Sequence, residues 1–457
     1  MPSKKILAIG FAAGVAAIST LEQYGNKIYD ESGNQFFIKG LAYQLRPDDP
    51  LIDTDQCSRD VELMKELGVN TLRVYHVDES ADHDGCMKVF EDAGIYLTID
   101  LDDFETYILP YDTYWNQTQF ESYTKTMDAF IKYDNVLGFY VGNEIIAKSD
   151  QSHAAPYIKA AVRDIKAYRK KKGYRNVLIG YSATDIVELR PMLQDYLTCG
   201  GNNDEIVDFF GINAYEWCTP NTYTGSGYDK LQAMAEKFPV PIFFSETGCN
   251  VGESREWQDM DAIFTEPMVN DWSGAIAYEW IEEQNNYGII SYGPPTDQAI
   301  ATGDIYDGFT RKGTPTPVQP DFDNLKSRWA TNTPVGTPRS KYDSSSVSTR
   351  ACPSSTPGGW QVDGNVPLPT LGETYAGSAT AASMTSKATM TSRAASGSAD
   401  SGDTDNGKGA SSDSGTSAPS ANQKTSTNDA PSPFTDSRVL AVATPLVGLI
   451  LGMALWL

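Results

Sequence analysis

Residues 136–144 read VLGFYVGNE, a run of apolar and small residues that ends in Asn143 and Glu144. A near-continuous apolar run of this length is typical of a strand buried on both faces of a parallel sheet. Parallel strands in turn are covered by helices. The stretch therefore predicts an α/β fold, and it places two polar side chains where a buried strand ends.

Seven further runs of the same kind alternate with helical stretches along the chain. The runs are residues 36–40 (FFIKG), 71–75 (TLRVY), 95–100 (IYLTID), 176–182 (NVLIGYS), 209–215 (FFGINAY), 241–246 (PIFFSE) and 274–280 (GAIAYEW). Three helical stretches are residues 60–67, 120–132 and 156–172. Gly68 follows the first stretch and Gly173 follows the last, as C-cap residues, and the last stretch begins with Pro156. Eight strands that alternate with helices predict a (β/α)8 TIM barrel. An open doubly wound sheet is the alternative, which we disfavour because no glycine-rich phosphate loop follows the first run.

Polar residues at the ends of these runs indicate where chemistry can occur, because a TIM barrel carries its active site at the carboxyl ends of its strands. Besides Asn143 and Glu144, the ends hold Arg73, Tyr75, Asp100, Asp102, Tyr215, Ser245, Glu246, Tyr278 and Glu279. Glu144 and Glu246 end long apolar runs on opposite sides of the predicted barrel. Cleavage of a neutral glycosidic bond needs one acid and one further carboxylate, and a gap of about 5 Å between them indicates retention through a covalent intermediate.

Simpler interpretations of the same residues stay open. Either Glu could be an ion-pair partner of Arg73 or Arg190. Asn143 argues against this alternative, because its amide suits the 2-hydroxyl of a sugar at the reacting ring. His76 lies beside a strand end, and we expect it to pack or to position a neighbour rather than to act as a base.

The composition excludes several classes of protein. With 457 residues, 40% of them hydrophobic and 11% aromatic, the chain is neither uniformly disordered nor held by disulfides alone. Its 36 Lys and Arg face 60 Asp and Glu, and the net charge of −24 repels polyanions, so nucleic acid is not an expected partner. A neutral glycan carries no such penalty. Only three His are present, and we predict no metal or cofactor.

Both ends of the chain look like targeting segments. Lys4 and Lys5 precede an apolar run over residues 6–18, which predicts a signal peptide over residues 1–20; a buried N-terminal helix is the alternative. Residues 439–457 are apolar and follow the short polar spacer 431–438. This layout predicts a GPI-attachment signal with Asn428 as the attached residue, and a transmembrane helix is the alternative. The protein is then expected at the cell surface, held to the plasma membrane and the cell wall.

The middle of the chain divides into a folded part and a stalk. Residues 374–437 contain 25 Ser or Thr and almost no large apolar side chains. We therefore predict a folded domain over residues 21–355 and a disordered Ser/Thr-rich stalk over residues 356–438. All six cysteines lie in the folded part and are expected to form disulfides, with fifteen pairings open from spacing alone. The sequon at Asn116 predicts N-glycosylation.

Several stretches together resemble one enzyme family: GLAYQ, TLRVYHVD, YVGNE, DIVELR, FFGINAYEWC, PIFFSETGCN and AYEW. They are similar to fungal cell-wall 1,3-β-glucanosyltransferases of glycoside hydrolase family 72, which are GPI-anchored, and the resemblance covers about residues 22–355. It implies Glu144 as the acid/base and Glu246 as the nucleophile. The substrate-binding residues that it implies are Gln44, Tyr75, Asp102, Asn143, Asp185, Arg190, Tyr215 and Tyr278. The implied disulfides are Cys57–Cys86, Cys199–Cys352 and Cys218–Cys249.

The resemblance also implies a reaction. The expected enzyme cleaves an internal β-1,3-glucan bond with retention and transfers the new end to another β-1,3-glucan chain. A hydrolytic endo-1,3-β-glucanase and a non-catalytic glucan-binding wall protein are the alternatives. We expect Tyr75, Tyr107, Tyr215, Tyr278 and Trp280 to offer flat faces to the sugar. Some relatives carry a C-terminal cysteine-rich module, and here the Ser/Thr stalk occupies its place.

Overall fold

The computed structural model describes residues 18–252, 254–297 and 303–376. Eight parallel strands close into a barrel in which each strand pairs with its neighbours in chain order. The strands are β1 (Ile38–Ala42), β2 (Thr71–Val74), β3 (Tyr96–Asp100), β4 (Val136–Asn143), β5 (Leu178–Thr184), β6 (Phe209–Asn213), β7 (Ile242–Thr247) and β8 (Trp272–Ala277). Strand β8 returns to β1 with Gly274 opposite Ile38. This closure confirms the predicted TIM barrel and excludes the open sheet.

Helices follow the strands on the outside of the barrel. They are α1 (Thr54–Leu67), α2 (Asp84–Asp92), α3 (Gln117–Phe130), α4 (Ala155–Lys172), α5 (Arg190–Thr198), α6 (Tyr228–Ala235), α7 (Asp259–Ile263) and α8 (Asp321–Thr331). Helix α1 ends at Gly68, whose φ of 79° lies in the left-handed region that glycine adopts without strain. Helix α4 has Pro156 in its first turn and ends at Gly173, as the sequence predicts.

Short elements complete the described part of the chain. The 3₁₀ turns are Ser149–Ala154, Met268–Asn270, Arg339–Lys341 and Ser344–Ser346. The two-stranded pairs are Glu22–Tyr24 with Lys27–Tyr29, Ile290–Ser291 with Thr316–Pro317, Ile305–Tyr306 with Phe309–Thr310, and Tyr114–Trp115 with Glu373–Thr374. They connect and cover the barrel, while the parallel strands position the site.

Two sets of apolar side chains form the core. The larger set lies between the strands and the helices. The smaller set comes mostly from alternate strand residues, including Leu137, Leu178 and Phe209, and it fills the barrel itself. Packing inside the barrel is close: a Cβ added at Gly180 would lie 2.4 Å from the Phe209 ring. The barrel is therefore a packed core, and its chemistry is confined to its mouth.

The folded domain extends beyond residue 355, where the sequence analysis places the start of the stalk. The compact unit runs to Ala376. In the C-terminal strap, which we define as residues 356–376, Trp360 is fully buried and its ring centroid lies 5.7 Å from that of Tyr196. Arg163 donates a 3.0 Å hydrogen bond to the carbonyl of Pro369. The strap escaped the sequence analysis because its buried side chains stand singly among polar residues.

Three disulfides cross-link the folded domain. They join Cys57 to Cys86, Cys199 to Cys352, and Cys218 to Cys249. These are the three pairs that the family resemblance implies. The first links α1 to α2, and the third links the loops that follow β6 and β7, beside the barrel mouth.

Several predictions fall on the part of the chain that is not described. Residues 1–17 of the predicted signal peptide, Asn428, the stalk beyond residue 376 and the predicted tail over residues 439–457 lie outside the described residues. Within the described ranges, no helix has both the length and the apolar character that crossing a membrane requires.

Candidate active site

The barrel mouth holds Glu144 directly after β4 and Glu246 within β7. Glu144 has a φ of 50°, in the left-handed region, which costs a residue with a Cβ about 1–3 kcal/mol. Its backbone N–H donates a 2.9 Å hydrogen bond to the carbonyl of Ser182 at the adjacent β5. The barrel thus holds Glu144 in a backbone conformation that a residue with a Cβ rarely adopts.

Glu246 is fully buried and accepts hydrogen bonds on both carboxylate oxygens. Its Oε1 accepts from Arg73 Nη1 at 3.1 Å and from the Tyr75 hydroxyl at 2.8 Å. Its Oε2 accepts from the Tyr215 hydroxyl at 2.8 Å. A cation and two phenol groups all donate to this carboxyl, and these three donors favour its ionised form.

Arg73 connects the residues of the mouth. It is fully buried, and its Nη2 lies 3.0 Å from Asp100 Oδ2 and 2.9 Å from Asn143 Oδ1. Its guanidinium also lies 4.4 Å from the ring centroids of both Tyr75 and Tyr140. A buried guanidinium needs such partners. The ion pair that the sequence analysis left open for Glu246 is therefore present, and Arg73 is its cationic member.

Glu144 has different surroundings from Glu246. Its Oε1 accepts one hydrogen bond, from Asn213 Nδ2 at 2.8 Å. Burial and the nearby charge of Glu246 raise the pKa of Glu144 to about 8. Burial also raises the pKa of Glu246, but Arg73 and the tyrosines oppose that rise. Glu144 is consequently the carboxyl that keeps its proton while Glu246 is charged.

Two residues of this network, Asn213 and Ser182, were not singled out in the sequence analysis, and Ser245 was named there only as a polar residue at a strand end. Asn213, at the end of β6, donates to Asn143 Oδ1 at 3.0 Å as well as to Glu144. Its Oδ1 accepts from the hydroxyls of Ser182 at 2.9 Å and Ser245 at 2.8 Å. The sequence does contain a signal for Asn213, because a polar side chain inside a fully buried strand must find hydrogen-bond partners. The same argument applies to Arg73 in β2.

The predicted aromatic residues Tyr215 and Tyr278 lie together at the mouth. Their ring centroids are 6.2 Å apart, and Tyr287 lies 5.5 Å from the first and 5.4 Å from the second, all edge to face. Trp280, in contrast, is fully buried, and its indole N–H donates to the Tyr292 hydroxyl at 2.8 Å. Our prediction that Trp280 offers a face to the sugar is wrong, because Trp280 packs in the core.

Gln44 contacts the backbone beside Tyr75. Its Oε1 accepts from the N–H of Tyr75 at 2.9 Å and from that of His76 at 3.1 Å, while its Nε2 donates to the carbonyl of Arg46 at 2.6 Å. His76 stacks on Phe104 with ring centroids 4.0 Å apart, and burial lowers the pKa of His76 to about 4. A neutral, packed imidazole fits the expectation that His76 is not a base.

The remaining predicted site residues lie on the loops of the same rim and on one helix cap. Burial and the charge of Asp100 raise the pKa of Asp102 well above its ordinary value. Asp185 directly follows β5 and forms an ion pair with Arg190, the first residue of α5. The side chain of Asn116 caps α3, where its Oδ1 accepts from the N–H of Gln119 at 3.0 Å. Among the described residues, no group of three or more His, Cys, Asp or Glu is arranged to hold a metal ion.

A closed (β/α)8 barrel with an acid and a carboxylate at its mouth is an arrangement of glycoside-hydrolase-type enzymes. Comparison with known proteins agrees. The sequence profile of the glucanosyltransferases of glycoside hydrolase family 72 matches residues 11–307. The chain belongs to this family.

Relatives and solved structures share most of the described domain. Protein EPD1 of Candida maltosa is 37% identical over 372 residues, which are 79% of this chain but only 64% of that protein. The 1,3-beta-glucanosyltransferase GAS5 of Saccharomyces cerevisiae is 35% identical over 84% of this chain and 78% of its own length. A mutant of Saccharomyces cerevisiae Gas2p, solved in complex with laminaritetraose and laminaripentaose, matches with a TM-score of 0.69 at 35% identity, over 78% of this chain and 75% of that one. The chain thus spans just under two thirds of EPD1.

Proposed function

We propose that the protein is a retaining 1,3-β-glucanosyltransferase. It cleaves an internal bond of a β-1,3-glucan and joins the new end to a second β-1,3-glucan chain, which elongates the glucan of the cell wall. The observation that carries the proposal is the unequal pair of carboxyls: Glu246 accepts from three donors, whereas Glu144 accepts from one and has a pKa raised to about 8. Family membership supports the same assignment.

The two carboxyls divide the first step between them. The ionised Glu246 attacks the anomeric carbon, and the bond from that carbon to the leaving oxygen breaks. Glu144 gives its proton to the leaving oxygen, which departs as the hydroxyl of the released chain. The non-reducing part of the donor remains as an ester on Glu246. Asn143, Tyr75 and Tyr215 then surround the reacting ring.

The second step reverses the first with a new partner. The 3-hydroxyl of an acceptor glucan loses its proton to the Glu144 carboxylate, and its oxygen attacks the anomeric carbon. The ester bond breaks, and Glu246 regains its charge. Two inversions retain the β configuration. Water in place of the acceptor would give hydrolysis, so the outcome depends on how well a bound acceptor excludes water.

A covalent trap tests the assignment of Glu246. A laminari-oligosaccharide with fluorine at C2 and an activated leaving group should form the ester but release it slowly. We expect one sugar adduct per protein, found on the peptide that contains Glu246 by mass spectrometry, and none in Glu246→Gln. An adduct on another residue, or an inverted product without an adduct, would refute the mechanism.

We also propose that the enzyme works at the cell surface. The signal-like residues 1–20, the Ser/Thr-rich stretch and the apolar residues 439–457 support secretion, a spacer and a GPI anchor at Asn428. A chain without residues 439–457 should appear in the medium with unchanged transferase activity per molecule, because the barrel is complete by residue 376. Retention of that chain on the membrane would contradict the anchor.

A further inference from the structure

Asn213 lies at the centre of the mouth, and its amide orientation follows from its neighbours. Arg73 can only donate hydrogen bonds, so the atom of Asn143 that faces it at 2.9 Å must be the carbonyl oxygen Oδ1. The group of Asn213 that lies 3.0 Å from this same oxygen must therefore be the NH₂ group. The hydroxyls of Ser182 and Ser245, which face the other side of the amide, then donate to its carbonyl oxygen.

Both hydrogens of the Asn213 amide are used in this arrangement. One goes to Asn143 Oδ1, and the other goes to Glu144 Oε1 at 2.8 Å. An oxygen that accepts from an N–H at this distance cannot also carry the proton of a neutral carboxyl toward that N–H. The carbonyl oxygen of a neutral carboxyl is a better acceptor than its hydroxyl oxygen, so the Asn213 N–H favours the form of protonated Glu144 in which Oε1 is the carbonyl oxygen and the hydroxyl is at Oε2.

We propose that Asn213 is a positioning residue that assigns the transferable proton of Glu144 to Oε2. This inference rests on the proposed function, in which Glu144 protonates the leaving oxygen. Without the fixed amide, the proton of Glu144 can occupy either oxygen, and only one of them faces the leaving group. Asn213 is 3% exposed and is held by two strands besides its own, so it is rigid enough for this role.

The role predicts a dependence on the leaving group. A sugar hydroxyl is a poor leaving group and needs the proton, whereas dinitrophenolate leaves without one. The value of kcat/KM reports the bond-breaking step for both donors. In Asn213→Ala we expect kcat/KM to fall about 10–100-fold for a β-1,3-gluco-oligosaccharide, within the range that general acid catalysis contributes. For the dinitrophenyl glycoside of the same oligosaccharide, the value should stay within about threefold of the wild type.

Asn135 supplies the matched control. It is also a buried Asn, and its amide donates to the carbonyls of Met87 and Ile95, both at 3.2 Å, at the opposite end of β4. Asn135→Ala should lower the stability of the fold and change kcat/KM for the two donors by the same factor. Asn213→Asp keeps the size of the side chain but puts oxygen where the N–H was, so it should also show the selective loss if Asn213→Ala folds poorly.

The pH profile of kcat/KM gives a second test, because a purely structural role of Asn213 would leave its basic limb unchanged. The Asn213 N–H stabilises ionised Glu144, so its loss raises the pKa of that acid and should shift the basic limb of kcat/KM to higher pH. Equal losses for both donors with an unmoved basic limb would overturn the proposal. A wild-type enzyme that cleaves neither donor would instead refute the proposed function on which the inference rests.

Discussion

In the proposed reaction Glu246 acts as an ionised nucleophile and Glu144 as a protonated acid, and the neighbours of each side chain explain this difference. Glu246 is surrounded by Arg73, Tyr75 and Tyr215, which all donate to it. Glu144 receives one amide N–H and faces the charge of Glu246. The negative charge of ionised Glu246 therefore helps to keep Glu144 protonated, as in other carboxyl pairs.

The pH dependence of kcat/KM follows from this pair. Activity needs Glu144 protonated and Glu246 ionised, so we expect a bell-shaped profile with an optimum below neutrality. The basic limb should fall near pH 8, where Glu144 loses its proton. The two apparent pKa values that the limbs of the profile give belong to the pair of carboxyls and not to either Glu alone. An optimum above neutrality would contradict the assignment of Glu144 as the acid.

The raised pKa of Glu144 also predicts an effect on stability. Folding favours the neutral form, so the wild-type protein loses stability as the pH rises from the ordinary pKa of Glu, about 4.5, toward 8. At pH 7 the full shift would cost about 3 kcal/mol. Because Glu144 is only half-buried, solvent reduces this cost, and Glu144→Gln should raise the free energy of unfolding by about 1–2 kcal/mol. Transferase activity should meanwhile fall at least about 100-fold.

Thermal unfolding at pH 5 and pH 7 checks the stability effect. The gain in melting temperature of Glu144→Gln should be larger at pH 7. Glu31→Gln, a change at an exposed site, should stay within about 0.5 kcal/mol of the wild type. A destabilised Glu144→Gln protein at pH 7 would show that Glu144 is charged in the resting enzyme.

At the scale of elements, the sequence predicted the strands better than the segments that cover them. All eight apolar runs form barrel strands, because strands buried on both faces need continuous apolar residues. The role of Asn213 was not predicted, since its partners come from strands far away in the sequence. The strap was missed because its buried apolar residues, Trp360, Val362 and Pro369, are too few and too scattered to form a pattern.

The strap should contribute measurably to stability. A chain that ends at residue 376 keeps buried Trp360 and the pairing of Glu373–Thr374 with Tyr114–Trp115. A chain that ends at residue 355 loses both and should be less stable, and Trp360→Ala alone should cost about 3–5 kcal/mol. Denaturant unfolding of the three proteins, each with the Cys199–Cys352 disulfide intact, makes the comparison. Equal midpoints would mean that the strap adds nothing to the fold.

At the scale of the whole molecule, all residues of the proposed chemistry lie in the unit that ends at Ala376. The net charge of −24 offers no attraction to a neutral glucan, so recognition must come from hydrogen bonds and aromatic faces at the mouth. We therefore expect the KM for a β-1,3-gluco-oligosaccharide to stay within about twofold between 50 mM and 500 mM salt. A KM that rises steeply with salt would contradict this expectation and indicate an electrostatic contribution to glucan binding.

The length of the products tests the central claim most directly. The purified domain, residues 21–376, is incubated with a single β-1,3-gluco-oligosaccharide labelled at its reducing end, and the products are separated by length over time. Transfer predicts labelled chains longer than the donor from the first time points, because each acceptor keeps its own labelled reducing end, together with shortened labelled fragments, and Glu246→Gln should give neither. If the wild-type protein produced only shorter chains at high donor concentration, it would be a hydrolase, and the proposed transferase function would be wrong.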